Sequence, residues 1–180
     1  MTMVEENEPG RATAAGDPVT RTLGLLLAGH RRYRDGRAST ADPVDGPVAA
    51  VLGCADPQPA LFGGLPLYEV RTAGLRVGPA VLGSVEYAVD RLRLPLVVVL
   101  GHLRCGVPGA GGPAHVRATL AALRRGSRVL DTAVADGRCA LVGMCWHEDR
   151  DLVRPVLPRA VPAAHGRRLR PPSRRTVRAR

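Results

Sequence analysis

Three residues in this chain have the types and the surroundings to hold a metal ion: Cys54, His102 and Cys105. Two thiolates and one imidazole form a nitrogen–sulfur set that zinc takes tetrahedrally, and three protein ligands leave a fourth position open. An open position marks a catalytic rather than a structural zinc site. The H-x-x-C pair of His102 and Cys105 is a weak signal by itself, because buried thiols and a strand-end histidine also occur as ordinary core residues. Placement strengthens it. Leu96 to Leu100 is an unbroken apolar run before Gly101, and Val48 to Leu52 is a second one before Gly53. Each has the character of a strand buried on both faces of a parallel sheet. Both runs deliver their cysteine or histidine to the C-terminal end of the strand, the edge at which open α/β sheets bind ligands.

The elements that must position these residues follow from periodicity and turn chemistry. From Thr20 the spacing of Leu23, Leu26, Leu27, His30 and Tyr33 predicts a helix with arginines on its other side, His30 being a structural residue of its edge. A Gly-, Asp- and Pro-rich loop over residues 36–47 leads into the first apolar strand. After Cys54 the text CADPQPALFGGLP predicts an irregular loop, then Leu67 to Val70 a short strand closed by Arg71-Thr72-Ala73-Gly74. Val81, Leu82, Val85, Ala88, Val89 and Leu92 form one face of a helix starting near Gly83-Ser84 and broken by Leu94-Pro95. Strand, helix and central strand make a right-handed βαβ unit. Beyond Cys105, VPGAGGPA predicts a flexible loop, followed by a helix over residues 115–135 with a weak point at Gly126-Ser127. Asp136-Gly137 is a turn signal, Cys139 to Trp146 a strand, and Arg150 to Val156 its hairpin extension. The fold class expected is α/β, a central, mostly parallel sheet flanked by helices.

At 180 residues the chain is long enough for one core, and with 3% aromatics that core must be built from Val, Leu and Ala. All 26 basic residues are arginine, which reads first as a coding bias. The net charge of +10 suggests a nucleic-acid binder until its distribution is considered. The stretch from Arg159 to Arg180 holds eight arginines and no acid, and without those eight charges about +2 remains. This leaves residues 20–157 as the expected folded domain, between a flexible polar segment, 1–19, and an Arg/Pro-rich tail, 158–180, without apolar periodicity. As an arm for nucleic acid or an acidic partner the tail lacks interleaved aromatics to stack bases, so nucleic acid is not an expected partner. Four cysteines are too few for a secreted disulfide scaffold, the start MTMVEENEPG lacks the basic and apolar regions of a secretory signal, and no apolar run approaches the roughly 20 residues that span a bilayer. A cytoplasmic location away from membranes is expected.

Four stretches taken together resemble the β-class carbonic anhydrases in order and spacing: Cys54-Ala55-Asp56, Val70-Arg71-Thr72-Ala73-Gly74, Gly83-Ser84-Val85-Glu86-Tyr87-Ala88-Val89, and Val99-Leu100-Gly101-His102-Leu103-Arg104-Cys105-Gly106. LLLAGHRRYRDG is similar to the N-terminal helix of that family, and ALVGMCWHEDRDLVRPV to its last core strand and hairpin. The resemblance implies a parallel-sheet α/β fold, a homodimer or higher homo-oligomer, and Zn2+ held by Cys54, His102 and Cys105. It also implies reversible hydration of carbon dioxide to bicarbonate by zinc-bound hydroxide, the zinc bringing its water to a pKa of about 7 as is known for carbonic anhydrases. Asp56 then has the catalytic part, accepting a hydrogen bond from the zinc-bound water while an arginine two positions later holds it.

The departures from that pattern carry a second expectation. The family's C-x-D-S-R is C-A-D-P-Q here, with Pro57 for serine and Gln58 for the arginine. Gln58 can donate a hydrogen bond but brings neither charge nor a bidentate fork. An aspartate released from the arginine is free to become the fourth ligand, closing the site and making the chain an inactive or impaired zinc-binding homologue. Leu75 replaces the usual asparagine after Ala-Gly, and the helical insert after Cys-Gly is reduced to the few residues near Gly109 to Ala114. Arg71 and Arg76 are candidates to replace the missing arginine, surface or dimer contacts being their plainer role. Cys139 and Cys145 read as core, His115 and His147 as surface residues, and Glu86 and Tyr87 as residues of packing and subunit contact.

Overall fold

We describe residues 17–37 and 45–157 of the computed structural model; the expected flexible start and arginine-rich tail lie almost entirely outside them. The elements are α1 (Pro18–Arg34), β1 (Ala49–Cys54), β2 (Leu67–Thr72), α2 (Pro79–Asp90), β3 (Leu96–His102), α3 (Gly112–Gly126), α4 (Arg128–Ala135), β4 (Ala140–His147) and β5 (Leu152–Pro155). The strands form one sheet in the order β2-β1-β3-β4-β5. β1 pairs in parallel with β2 and β3, β3 pairs in parallel with β4, and β5 returns antiparallel to β4 as the expected hairpin.

Every residue of β1 and β3 is buried, as their apolar runs require. Alternate residues serve opposite faces. Ala50, Leu52, Val97, Val99 and Cys145 join the core beneath α2, α3 and α4. Ala49, Val51, Leu96, Val98, Leu100 and Met144 join a second core with Leu26 of α1 and with Leu61, Phe62 and Leu65 of the loop after Cys54. That loop is irregular, as its Pro and Gly content demands, but its apolar residues are packed inside. The order of strands reverses between β1 and β3, so a crevice opens at their C-terminal ends.

Element boundaries depart from expectation where capping decides them. α2 begins at Pro79 after Gly78, not at Gly83-Ser84. Proline loses nothing in the first turn of a helix, where its missing N–H would be unpaired anyway. α3 begins at Gly112 for the same reason, with Pro113 in its first turn. The weak point at Gly126-Ser127 is a true break: Ser127 caps α4 by accepting from Leu130 N and donates to Glu86 Oε1 at 2.7 Å, which ties α4 to α2. In α1 the buried face holds Thr22, Leu26, Gly29 and His30, whereas Leu27, expected inside, is 41% exposed. Gly29 replaces it because the helix approaches the loop so closely that a Cβ there would lie 2.3 Å from the carbonyl oxygen of Phe62.

His30 and Tyr33 fasten α1 to the rest. His30 Nδ1 donates to the carbonyl of Leu61 at 2.9 Å and Nε2 accepts the N–H of Val153 at 3.0 Å, an assignment that requires one neutral tautomer. The Tyr33 hydroxyl donates to the Asp151 carboxylate at 2.9 Å, and Trp146 Nε1 donates to the same group at 3.1 Å. His30→Ala leaves a buried carbonyl and a buried N–H unpaired and is expected to cost about 2–4 kcal/mol in urea denaturation. Burial, then the adjacent Asp151 carboxylate, pushes the Tyr33 hydroxyl up to about 12. The folded state therefore holds this proton more tightly than the unfolded chain. The resulting stabilisation is complete below pH 10 and lost as pH rises to 12, and Tyr33→Phe should remove that part of the alkaline loss in the same denaturation experiment.

Candidate metal centre

The crevice between β1 and β3 collects the residues singled out by type. Cys54 ends β1, His102 ends β3, and Asp56 and Cys105 follow within three residues of those ends. Cys54, Asp56, His102 and Cys105 each offer one donor atom, and these atoms all lie within 4.8 Å of one another. The two sulfur atoms are 3.7 Å apart. Cys54 is fully buried and His102 is 4% exposed, whereas Asp56 and Cys105 reach partly into solvent.

The turn after β2 supports this cluster. Gly74 has φ 61, a left-handed conformation favourable to glycine, and its N–H donates to Cys54 Sγ at 3.4 Å. Its carbonyl accepts from His115 Nε2 at 2.7 Å. His115, expected at the surface, thus braces the turn from the first turn of α3.

His102 is oriented by a residue that the sequence did not single out. Glu148, just past β4, accepts the Nδ1–H of His102 at 3.0 Å and the backbone N–H groups of Leu103 at 3.2 Å and Arg104 at 2.8 Å. The signal was positional: β3 and β4 pair with His102 opposite Trp146, so an acid two residues past Trp146 falls beside the histidine. With Nδ1 donating to Glu148, the lone pair of Nε2 points at the cluster. Nε2 is 3.3 Å from Asp56 Oδ2 but makes no hydrogen bond. A buried, unpaired ring nitrogen facing two thiols and a carboxylate is the environment of a metal ligand, and this donor set fits zinc.

Asp56 lies inside the cluster. Its Oδ2 accepts the N–H of Gly106 at 2.7 Å, and its backbone carbonyl accepts from Arg71 Nη2 at 2.7 Å. Among the described residues no arginine forms an ion pair with its carboxylate. Arg71 reaches only the carbonyl, and Arg76 is exposed beyond Thr72, whose hydroxyl donates to its backbone oxygen. Gln58 does not serve Asp56 either. Its amide nitrogen is buried without a hydrogen-bond partner beside a cavity walled by Val51, Phe62 and Leu100.

Proton affinities follow these contacts. The Gly106 N–H holds Asp56 below its ordinary value, against a smaller effect of burial. Burial would raise Cys54, but the N–H of Asp56, His102, the N–H of Gly74 and Cys105 together bring it below the ordinary thiol. Burial raises Cys105, with neighbouring Cys54 adding to the effect. Burial works to lower His102, yet Cys54 and Glu148 outweigh it and raise it. Burial would raise Glu148, but the N–H of Arg104 and the other donors around it lower it. Cys139 and Cys145 lie in the core, as expected, both pushed up to about 11 by burial.

Residues 49–112 match the sequence model of the carbonic anhydrase family. A carbonic anhydrase of Mycolicibacterium smegmatis is 49% identical over 85 residues, which are 44% of this chain and 37% of that protein. Carbonic anhydrase 2 of Mycobacterium tuberculosis is 46% identical over 86 residues, 45% of this chain and 38% of the relative. The chain thus matches less than two-fifths of the length of these relatives. In structure it is similar to a cysteine-to-alanine mutant of the β-carbonic anhydrase CafD of Aspergillus fumigatus, with a TM-score of 0.53 at 18% identity over 62% of this chain and 90% of that one. It is also similar to the Coccomyxa β-carbonic anhydrase solved with acetazolamide, with a TM-score of 0.52 at 18% identity over 81% and 88%. At such identities the structural likeness speaks for the fold. Fold and site define an α/β protein with a candidate cysteine–histidine metal centre at the switch point of its sheet. The sequence match adds that residues 49–112 carry the sequence pattern of the carbonic anhydrase family, within a fold similar to that of the β-carbonic anhydrases.

Glu148→Gln keeps the size of the side chain but loses the charge that complements three N–H donors. It is expected to weaken metal binding about 10–100-fold in chelator competition, while the circular dichroism spectrum stays unchanged.

Proposed function

We propose that Cys54, His102 and Cys105 hold Zn2+, with Asp56 completing the set at rest, and that the chain catalyses the reversible hydration of carbon dioxide to bicarbonate. The observation that carries this reading is the convergence of four donor atoms within 4.8 Å around the unpaired Nε2 of His102. Zinc in such a set supplies a Lewis acid that makes water a nucleophile at neutral pH.

The chain's own residues provide the rest. Glu148 keeps the His102 ring in its binding tautomer. Once turned from the metal position and freed from Gly106 N–H, which holds it in the cluster at rest, the Asp56 carboxylate is the acceptor that would orient the attacking water. Oxygen from water bonds to the carbon of carbon dioxide, bicarbonate leaves, and the proton passes to solvent beside the partly exposed Asp56. A shallow opening bounded by Pro57, Arg104, Trp146 and Glu148 provides a route to bulk water.

A second reading has its own support: a zinc-binding homologue of little or no activity, closed by Asp56. The Asp56 carboxylate lies among the donors, and Gln58 offers nothing to draw it away. Whichever holds, we place the zinc domain at residues 20–157 of a cytoplasmic homodimer or higher homo-oligomer. No helix of the described residues is long and apolar enough to cross a membrane. Assembly is supported by the exposed Leu25 and Leu27 on α1, and a relative of this fold from Sordaria macrospora is described as tetrameric.

Protein purified without chelator should carry about one zinc per chain, and Cys54→Ser should carry far less. Stopped-flow hydration of carbon dioxide above the Cys54→Ser background is expected for the enzyme, with Gln58→Arg raising the rate by restoring a cation beside Asp56. A wild-type rate equal to that background, with zinc bound, selects the inactive homologue.

A further inference from the structure

Asp56 is anchored at both ends, and neither anchor is the residue at position 58. Its carboxylate is held by Gly106 N–H, and its carbonyl by Arg71 Nη2, each at 2.7 Å. Arg71 stands on the edge strand β2 in register with Gly53, one residue before Cys54, and Ala55 N donates to Thr72 O to carry the ladder past the strand end. The guanidinium has little other commitment, since its ion pair with Glu69 is 3.7 Å long and both side chains are well exposed. A hydrogen bond from a charged donor is about twice as strong as a neutral one, so the contact with Asp56 dominates the placement of Arg71. Pro57 works in the same direction, because a residue before proline is confined to extended backbone. With its backbone limited by Pro57 and its carbonyl pinned by Arg71, Asp56 keeps only side-chain rotations, and Gly106 selects the one that brings the carboxylate into the cluster.

We propose that Arg71 is the positioning residue that aims Asp56 at the metal, supplying from the neighbouring strand the hold that the chain lacks at position 58. This rests on the reading of Asp56 as the fourth ligand. Arg71 acts through a backbone carbonyl and not through the carboxylate, so it keeps Asp56 in the cluster, whereas a cation on the carboxylate would compete with the metal for it.

The test uses the full zinc-loaded chain and reads two quantities: the rate of zinc release to a chelator and the visible spectrum of the cobalt-substituted protein. Arg71→Ala should speed zinc release about tenfold and move the cobalt spectrum toward that of Asp56→Asn. Arg71→Lys, which keeps a charged donor, should recover most of both. In the double variant Arg71→Ala with Asp56→Asn, the first change should add nothing to the second, since both remove the same arm. Arg71→Ala with the wild-type rate and spectrum would overturn the proposal. So would an acceleration that adds in full to that of Asp56→Asn, because Arg71 would then act through general stability. A wild-type chain that takes up no zinc would overturn the ligand reading and this proposal together, whereas uptake without any response to Arg71 overturns this proposal alone.

Discussion

The parallel pairing of β1 with β3 is the constraint on which the rest of the site depends. It places Ala50 beside Val97 and Gly53 beside Leu100, so the two strands end together with Cys54 and His102 at the same edge. Both strands are buried on both faces, and slipping their register by one residue would send every side chain to the opposite core. The hydrophobic packing that holds the sheet therefore also sets the separation of the ligands. Gly101 is part of the same arrangement: a Cβ there would lie 2.4 Å from the Val116 side chain, so α3 packs closely over the strand end that presents His102.

Around that fixed pair the remaining groups come from loops, and each is held by backbone donors. Gly74 N–H points at Cys54, Gly106 N–H at Asp56, and the N–H groups of Leu103 and Arg104 at Glu148. Backbone amides carry no side-chain rotamer freedom, so they stabilise negative charge without ordering a long side chain first. This explains how the site keeps an ordered carboxylate beside two thiols although, among the described residues, no arginine side chain pairs with that carboxylate. It also explains the shifts of Asp56 and Glu148 below their ordinary values, which arise mainly from these amides.

Much of the fold was legible before any coordinates. Two unbroken apolar runs gave the doubly buried strands, the helical spacing gave α1 and α2, and Asp136-Gly137 and Arg150 to Val156 marked the last turn and hairpin. Boundaries were less legible at Pro79 and Gly112, where a proline in the first turn starts the helix earlier than its apolar face suggests. Leu27 was misplaced because periodicity does not register a close approach such as that of Gly29 to Phe62. Within the site, Cys54, His102 and Cys105 were readable as candidate ligands from their types and their places after the strands, and Asp56 only from the family resemblance. Glu148 was not singled out, Arg71 was only one of two candidates for the missing arginine and His115 read as a surface residue, because their parts depend on neighbours 46, 15 and 41 residues away.

The sequence by itself determined which side chains could meet a metal and that two buried strands would carry them, since residue type and hydrophobic period are local properties. It also determined that position 58 lacks a cation. Only the tertiary structure decided where the Asp56 carboxylate rests, what orients His102 and which arginine touches the turn. Those outcomes arise from hydrogen bonds across strands and loops distant in the chain, and no local pattern records such bonds before the sheet brings their partners together.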